Sequence, residues 1–251
     1  MGDKFSNKYL IGYFETDNHL KLKPSYLLVL FQDLAILHSD FLEYTLDYFA
    51  QKARGWAVLN WHIKLDRLPE RGEQITVNTW ANECKRMQAQ RSFTVEDCDG
   101  NIICYAISRW AFMDLKRRRP VKIDESMSEK YTCDVPNIIE NEKYNMPQVA
   151  EENFVSEREF IVNRSDTDTN NHVNNTRYIE WAVDDIEDEL YYNYSVKDIK
   201  VVYRKECIKG IKIKSRYYLR TLEKECKETI SVFSNEDVIY CEVAMIWKKE
   251  Q

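Results

Sequence analysis

The residues best suited to chemistry lie in one polar segment, residues 164–181, which holds two Asp, four Asn and one of the four His of the chain. Asp168, Asn170 and His172 alternate along this segment. In an extended loop, alternate side chains point to the same side. These three residues would then offer a hydrogen-bond acceptor, an amide donor and an imidazole together, a combination suited to general acid–base chemistry.

A helix is predicted directly after these residues. Its apolar face is formed by four residues at helical spacing: Ile179, Ala182, Val183 and Ile186. The free N–H groups and the dipole at a helix N-terminus favour negative charge, so a developing oxyanion could be held there. The alternative is that the Asn and Asp residues only cap the helix and form turns. For Asn171 and Asn175 we prefer that alternative.

Two further candidates stand at the end of an alternating strand, in the stretch Tyr203–Cys207. Glu206 is a possible general base for water. Cys207 is a possible nucleophile activated by His172, in a Cys–His–Asn arrangement. A solvated charge and a simply buried thiol are the structural alternatives for these two residues.

The polar segment belongs to the second of two halves that repeat one order of predicted elements. In the first half, a strand-like run over residues 8–16 precedes a helix from Ser25, and alternating apolar residues such as those between Ala57 and Leu65 then predict several strands. In the second half, a strand-like run over residues 159–163 precedes the polar loop, the helix and four further strands.

These patterns predict an N-terminal domain over residues 1–130, a linker over residues 131–152 and a C-terminal domain over residues 153–251. The linker is polar, acidic and interrupted by Pro, and it is expected to begin near a short helix. Each domain would be of the α+β class, with an antiparallel sheet wrapped around a helix, because one helix cannot bury both of its faces alone.

Composition excludes several classes of protein. The net charge of −6 argues against non-specific nucleic-acid binding. Seven Cys occur without a C-x-x-C pair, which argues against a disulfide framework or a zinc site. No signal peptide, Arg-rich transit segment or apolar run of membrane-spanning length is evident, so we expect a soluble protein of a bacterial cytoplasm without a membrane partner.

Several motifs occur in order along the chain. The second half contains Asp168–Asn175, followed by Tyr178 and Trp181, and then Tyr203–Cys207. The first half contains Gly55–Asn60, His62–Lys64, Thr79–Trp80, Ser108–Trp110 and Arg117–Pro120. Together these stretches resemble the motifs of the acyl-ACP thioesterases, a family known from plant plastids and from bacteria. The resemblance extends over roughly residues 8–249.

The resemblance implies a fold, a reaction and a set of residues. The expected fold is a tandem, or double, hot-dog. The expected reaction is hydrolysis of fatty acyl-ACP to free fatty acid and acyl carrier protein (ACP), without a metal or an organic cofactor. The catalytic groups of the family correspond to Asp168, Asn170, His172 and Glu206. We favour direct attack by water, with Cys207 as a possible contributor.

The first half is expected to bind the acyl chain, because its Asp17 and His19 precede a helix without the Asn-Asn signature. Burial of the alkyl chain in a tunnel would contribute about 0.8 kcal/mol per methylene. The residues proposed to shape this tunnel are Trp56, Leu59, Trp61 and Trp80. Core packing is the alternative role for each of them.

An acidic carrier protein would have to dock on a local basic patch, because this chain is itself acidic. The candidates are Lys116, Arg117, Arg118, Arg119, Arg204 and Lys205. The competing functions are a hot-dog hydratase or dehydratase acting on acyl thioesters and a non-catalytic acyl-thioester sensor. A monomer and a homodimer are both compatible with the sequence.

Overall fold

The structure is a computed structural model that describes residues 4–136, 139, 145–236 and 238–250. The chain divides into two compact units, residues 1–142 and residues 143–251. The middle of the predicted linker, residues 137, 138 and 140–144, lies outside the described residues.

Among its described residues, the first unit combines an antiparallel sheet with three α-helices. Its helices are α1 (Pro24–Phe41), α2 (Leu46–Lys52) and α3 (Glu125–Tyr131). Its strands are β1 (Phe5–Leu10), β2 (Arg54–Leu65), β3 (Gln74–Lys85), β4 (Gln88–Glu96), β5 (Ile102–Asp114) and the short β6 (Arg119–Pro120). The strand order is β1-β3-β4-β5-β2, and β6 pairs with β5.

Helix α1 forms the centre of the core of this unit. Pro24 opens it at a position where a missing N–H has no cost. The apolar residues that follow at helical spacing are buried, and the ring centroid of Phe31 lies 4.8 Å from that of Phe93 on β4 and 5.9 Å from that of Trp61 on β2. The predicted helix and the predicted strands therefore share one core.

Two local predictions for the first unit are wrong. The first strand ends at Leu10 rather than Thr16, because Gly12 starts a 3-10 turn that the Glu15 carboxylate closes by accepting the Gly12 N–H at 2.7 Å. Strict alternation fails in β2, because its pairing with β5 shifts register between Val58 and Asn60. A bulge of this kind changes which side chains face inward.

A polar cluster that the sequence did not predict is buried in the first unit. Arg91 Nη1 donates to His38 Nδ1 at 2.9 Å and to Thr79 Oγ1 at 3.2 Å. Burial, together with the Arg91 charge, lowers the pKa of His38 to about 3. The imidazole is therefore neutral at pH 7, with its proton on Nε2, because Nδ1 accepts a hydrogen bond from a group that can only donate.

The second unit repeats the arrangement with shorter helices. It contains β7 (Phe154–Ile161), α4 (Arg177–Asp184), α5 (Asp188–Asn193), β8 (Tyr194–Tyr203), β9 (Lys212–Glu223), β10 (Cys226–Asn235) and β11 (Val238–Lys249). The strand order is β8-β11-β10-β9-β7, with antiparallel neighbours throughout. Tyr178 and Trp181 of α4 pack on Phe233 of β10, with ring centroids 5.5 and 5.8 Å apart.

Helix α4 ends earlier than its apolar spacing predicts. Ile186 is buried but lies beyond the last helical residue, Asp184. Asp185, which follows the last helical residue, bonds Arg158 of β7, and its carboxylate accepts a hydrogen bond from Ser215 Oγ of β9 at 2.6 Å. Arg158 also donates to the carbonyl oxygen of Trp181 at 3.0 Å, so polar contacts with the sheet terminate the helix.

Neither a single membrane-spanning helix nor a metal-binding cluster occurs among the described residues. Within them, no single helix is long and apolar enough to cross a membrane, and α1 and α2 meet that criterion only as a pair bent by 78°. Within the same part of the chain, no group of three or more His, Cys, Asp or Glu side chains is placed to hold a metal ion.

Candidate active site

The polar segment forms a tight turn between β7 and α4. It starts with a 3-10 turn at Arg164–Asp166 and continues as a short hairpin in which Thr167 pairs with Val173. Asn171 lies at the tip with a φ of 61°, in the left-handed region that Asn tolerates better than most residues. We call residues 167–173 the site turn. The segment reverses direction, so the extended loop that was used to place Asp168, Asn170 and His172 on one side does not form.

The Asp168 carboxylate organises the site turn through the backbone. Its Oδ1 accepts the N–H groups of Asn170 at 2.8 Å and of His172 at 3.1 Å. The Asp168 N–H donates to the carbonyl oxygen of His172 at 2.8 Å. Asp168 therefore fixes both neighbours, as a side chain in an Asx turn does, and it does so through their amides.

A backbone bridge brings Glu206 to the site turn. His172 pairs with Ile208, and the Val173 N–H donates to the carbonyl oxygen of Cys207 at 2.8 Å. As a result, His172 Nε2 lies 3.5 Å from Glu206 Oε2, with 29% and 50% of the two side chains exposed. Water can reach both groups, as a hydrolytic pair requires.

The Cys207 thiol differs from the groups around it. Cys207 is 2% exposed, and its Sγ lies 3.9 Å from the carbonyl oxygen of Ile208. Burial raises the pKa of the Cys207 thiol to about 11. Nucleophilic cysteines need a lowered pKa, because the thiolate is the attacking form. The surroundings therefore disfavour the Cys–His–Asn alternative.

The four aromatic and apolar residues considered for acyl binding lie in different surroundings. Trp61 is fully buried beside Phe31, in the main core. Trp80 is also fully buried, with Lys4 Nζ 4.6 Å from its ring centroid. Trp56 is only half-buried and packs on the ring of Phe112 at 4.9 Å. Leu59 is half-buried at the bulge of β2.

The basic residues considered for docking fall into two sets. Lys116 to Arg118 are exposed on the turn between β5 and β6, and Arg119 is exposed at the start of β6. The Asp114 carboxylate accepts the N–H groups of Lys116 at 3.1 Å and of Arg117 at 2.9 Å. In the second unit, Arg204 is ion-paired with Glu242 at 2.7 Å. Lys205, beside Arg204, is exposed.

The first half contains a turn with the same backbone hydrogen bonds as the site turn. Asp17 Oδ1 accepts the N–H groups of His19 at 2.8 Å and of Lys21 at 3.0 Å, and the Asp17 N–H donates to the carbonyl oxygen of Lys21 at 2.8 Å. Leu20 sits at the tip with a φ of 58°. The turn is therefore a feature of both halves, and only its side chains differ.

The neighbouring strand segments also correspond. The Leu22 N–H donates to the carbonyl oxygen of Pro69 at 2.7 Å, as the Val173 N–H does to that of Cys207 at 2.8 Å. The candidate catalytic positions align as follows: Asn170 with His19, His172 with Lys21, and Glu206 with Leu68. The sequence offered only a faint signal of this repeat, the Thr-Asp pairs at 16–17 and 167–168.

Comparisons with known proteins agree with this architecture. Sequence models of the acyl-ACP thioesterase N-terminal domain and C-terminal domain match residues 2–131 and 149–249. A chloroplastic palmitoyl-acyl carrier protein thioesterase of Cuphea hookeriana is 31% identical over 157 residues, which is 61% of this chain and 38% of that relative. The match thus spans well under half the length of that relative.

Solved structures extend the likeness to the whole fold. An acyl-ACP thioesterase from Bacteroides thetaiotaomicron superposes with a TM-score of 0.84 at 25% identity, covering 98% of each chain. The 12:0-ACP thioesterase from Umbellularia californica superposes with a TM-score of 0.86 at 18% identity, covering 98% of this chain and 94% of that one. These superpositions confirm the predicted double hot-dog fold.

Proposed function

The chain belongs to the acyl-ACP thioesterase family, and on that premise we propose that it hydrolyses the thioester of fatty acyl-ACP to free fatty acid and ACP. The observation that carries the proposal is the contact of His172 Nε2 on the site turn with Glu206 Oε2 beside it, 3.5 Å apart and both partly exposed to water. A carboxylate and an imidazole in contact are suited to activating a water molecule.

In the proposed reaction, Glu206 accepts a proton from water as the water oxygen bonds to the thioester carbonyl carbon. The carbon–sulfur bond then breaks, and the leaving thiolate takes up a proton. His172 orients the Glu206 carboxylate and can relay that proton, because its Nε2 faces Glu206. One water and one thioester thus give one carboxylic acid and one thiol, so the reaction balances.

The oxyanion that forms on the carbonyl oxygen needs hydrogen-bond donors. The backbone N–H groups of Asn170 and His172 already donate to Asp168, so they are engaged. The side-chain amide of Asn170 is exposed on the same turn, and we assign it this role. One donor of this kind typically contributes about 3 kcal/mol.

The proposal is tested by the release of free thiol from a panel of acyl-ACPs of different chain lengths. We expect turnover with at least one chain length, and the ranking of rates then gives the substrate preference. Hydration of an enoyl-thioester without thiol release would instead identify a hydratase. Tight acyl-ACP binding without turnover on any chain length would identify a sensor.

The Cys207→Ser variant is expected to keep kcat within about threefold of the wild-type value. With a pKa of about 11, only about one Cys207 thiol in 10⁴ is ionised at pH 7, too few for an efficient nucleophile. The measurement is kcat of both proteins between pH 6 and 10. A loss of more than about 100-fold, or a wild-type rate that keeps rising towards pH 10, would revive the covalent mechanism.

For docking of the acidic carrier protein we favour the exposed basic run Lys116–Arg119 over Arg204, which is already paired with Glu242. The double charge reversal Lys116→Glu and Arg117→Glu is expected to raise KM for acyl-ACP by about five- to tenfold. It should leave KM for acyl-CoA nearly unchanged. The backbone of the turn is retained, because Asp114 binds these two residues through their N–H groups.

The control for this experiment is Lys224→Glu, which reverses an exposed charge away from this run, on the turn between β9 and β10. KM is measured at low and at high salt, since screening weakens attraction between exposed charges. An equal rise in KM for both substrates, or the same rise in the control, would contradict docking at Lys116 and Arg117.

A further inference from the structure

Asp166 closes the site turn through its backbone carbonyl, and its side chain is a buried carboxylate that bonds the chain just before the turn. Asp166 is 4% exposed, and its Oδ2 accepts the N–H of Asn163 at 2.7 Å, just before the turn. Its carbonyl oxygen accepts the N–H of Asn174 at 2.8 Å, just after the turn. The chain therefore leaves Asp166, forms the site turn and returns to Asp166.

Arg177, in the first turn of α4, holds this carboxylate in place. Its Nε and Nη2 both donate to Asp166 Oδ1, at 3.1 and 2.8 Å. Glu180, one helical turn further on, bonds Arg177 Nη1. The guanidinium is thus fixed on two sides, and its removal would leave Asp166 as a buried carboxylate without its cation, which is strongly unfavourable.

We call the contacts of Asp166 with Asn163, Asn174 and Arg177 the clasp. The first half has an equivalent clasp without the ion pair. Glu15 accepts the N–H of Gly12 at 2.7 Å, and its carbonyl oxygen accepts the N–H of Lys23 at 3.0 Å. Tyr26, at the position equivalent to Arg177, is hydrogen-bonded to the Glu15 side chain. The ionic form of the clasp therefore occurs in the half that carries the candidate catalytic side chains.

We propose that Arg177 is a positioning residue of the candidate active site. By holding Asp166, it fixes the site turn so that His172 stays opposite Glu206. This inference rests on the proposed function, because it assigns a role in that reaction to a residue that need not contact the substrate. A displacement of about 1 Å in such a site can cost about 100-fold in rate.

The test compares Arg177→Met with Arg177→Lys and with Tyr26→Phe, which breaks the equivalent clasp in the first half. Arg177→Met is expected to lower kcat by about 10- to 100-fold with KM within about twofold. Arg177→Lys should recover part of kcat, because a lysine can pair with Asp166 but lacks the planar guanidinium that directs two N–H groups at its carboxylate. Tyr26→Phe should lower Tm but keep kcat.

The second measurement does not depend on turnover. The ring signal of His172 in a ¹H–¹³C NMR spectrum is expected to shift in Arg177→Met and to stay in place in Tyr26→Phe. Wild-type kcat in Arg177→Met, an unmoved His172 signal, or an equal loss of kcat in Tyr26→Phe would each overturn the positioning role. If the wild type hydrolyses no acyl-ACP, the proposed function fails, and the His172 signal still decides whether Arg177 positions the turn. If Arg177→Met does not fold, Arg177→Lys is compared in the same way.

Discussion

The variants His172→Ala and Glu206→Gln are each expected to lower kcat for acyl-ACP hydrolysis by about 10²- to 10⁴-fold, the usual contribution of a positioned acid–base group. The two side chains are 3.5 Å apart. Removal of Glu206 takes away the proposed proton acceptor for the attacking water, and removal of His172 takes away the group that orients this acceptor. KM should change little, because neither group is proposed to hold the acyl chain. The measurement is thiol release at saturating acyl-ACP.

If His172 and Glu206 act together, the losses of kcat in their single variants should not be additive in free energy. The double variant of His172 and Glu206 should be hardly slower than the worse single variant. The matched control is Glu159→Gln, which removes another exposed carboxylate of the same unit, one that is ion-paired with Lys212 at 2.5 Å. Near wild-type kcat in either single variant would refute the assignment. A loss of kcat in the double variant equal to the product of the two single losses would refute it as well.

The sequence names the side chains proposed for the candidate site but not how they are arranged. His172 and Glu206 lie on separate elements, and spacing alone gave no reason to place them together. Their approach depends on the bridge from His172 to Ile208, a long-range backbone contact. Contacts of this kind follow from sheet topology, which local periodicity does not encode.

Apart from the bulge in β2, the errors in local structure share one physical cause, which is competition from side-chain hydrogen bonds. The spacing of Asp168, Asn170 and His172 places them on one side only if the loop is extended, but Asp168 binds two backbone N–H groups and closes a turn. The helix was expected to reach Ile186, but Asp185 bonds Ser215 and Arg158 of the sheet and ends it. Short polar side chains often compete with regular structure in this way.

The repeated turn separates what the fold requires from what the proposed chemistry requires. Asp17 and Asp168 make equivalent bonds to the backbone, so this aspartate has a structural role in both halves. The second half differs in the side chains that its turn presents. A test of catalytic residues in this chain can therefore use the first half as an internal reference for structural effects.

Asp168→Ala is expected to lower kcat by about 100-fold or more, whereas Asp17→Ala should leave kcat nearly unchanged. Each substitution removes a carboxylate that accepts two backbone N–H groups, so each should cost about 1–3 kcal/mol of unfolding free energy. Only the turn at Asp168 carries Asn170 and His172. The measurements are kcat, KM and the free energy of unfolding for both variants.

The Asp168→Asn variant then separates the two roles that this carboxylate can have. The side-chain oxygen of Asn can accept the same two N–H groups, so the site turn and its stability should be retained. If Asp168 acts only by shaping the turn, kcat of Asp168→Asn should lie within about tenfold of wild type. A stable Asp168→Asn protein with the full loss seen in Asp168→Ala would show that the negative charge itself takes part in the reaction. An equal loss of kcat in Asp17→Ala would instead show that the rate follows general stability, and the assignment of the site to the second half would fail.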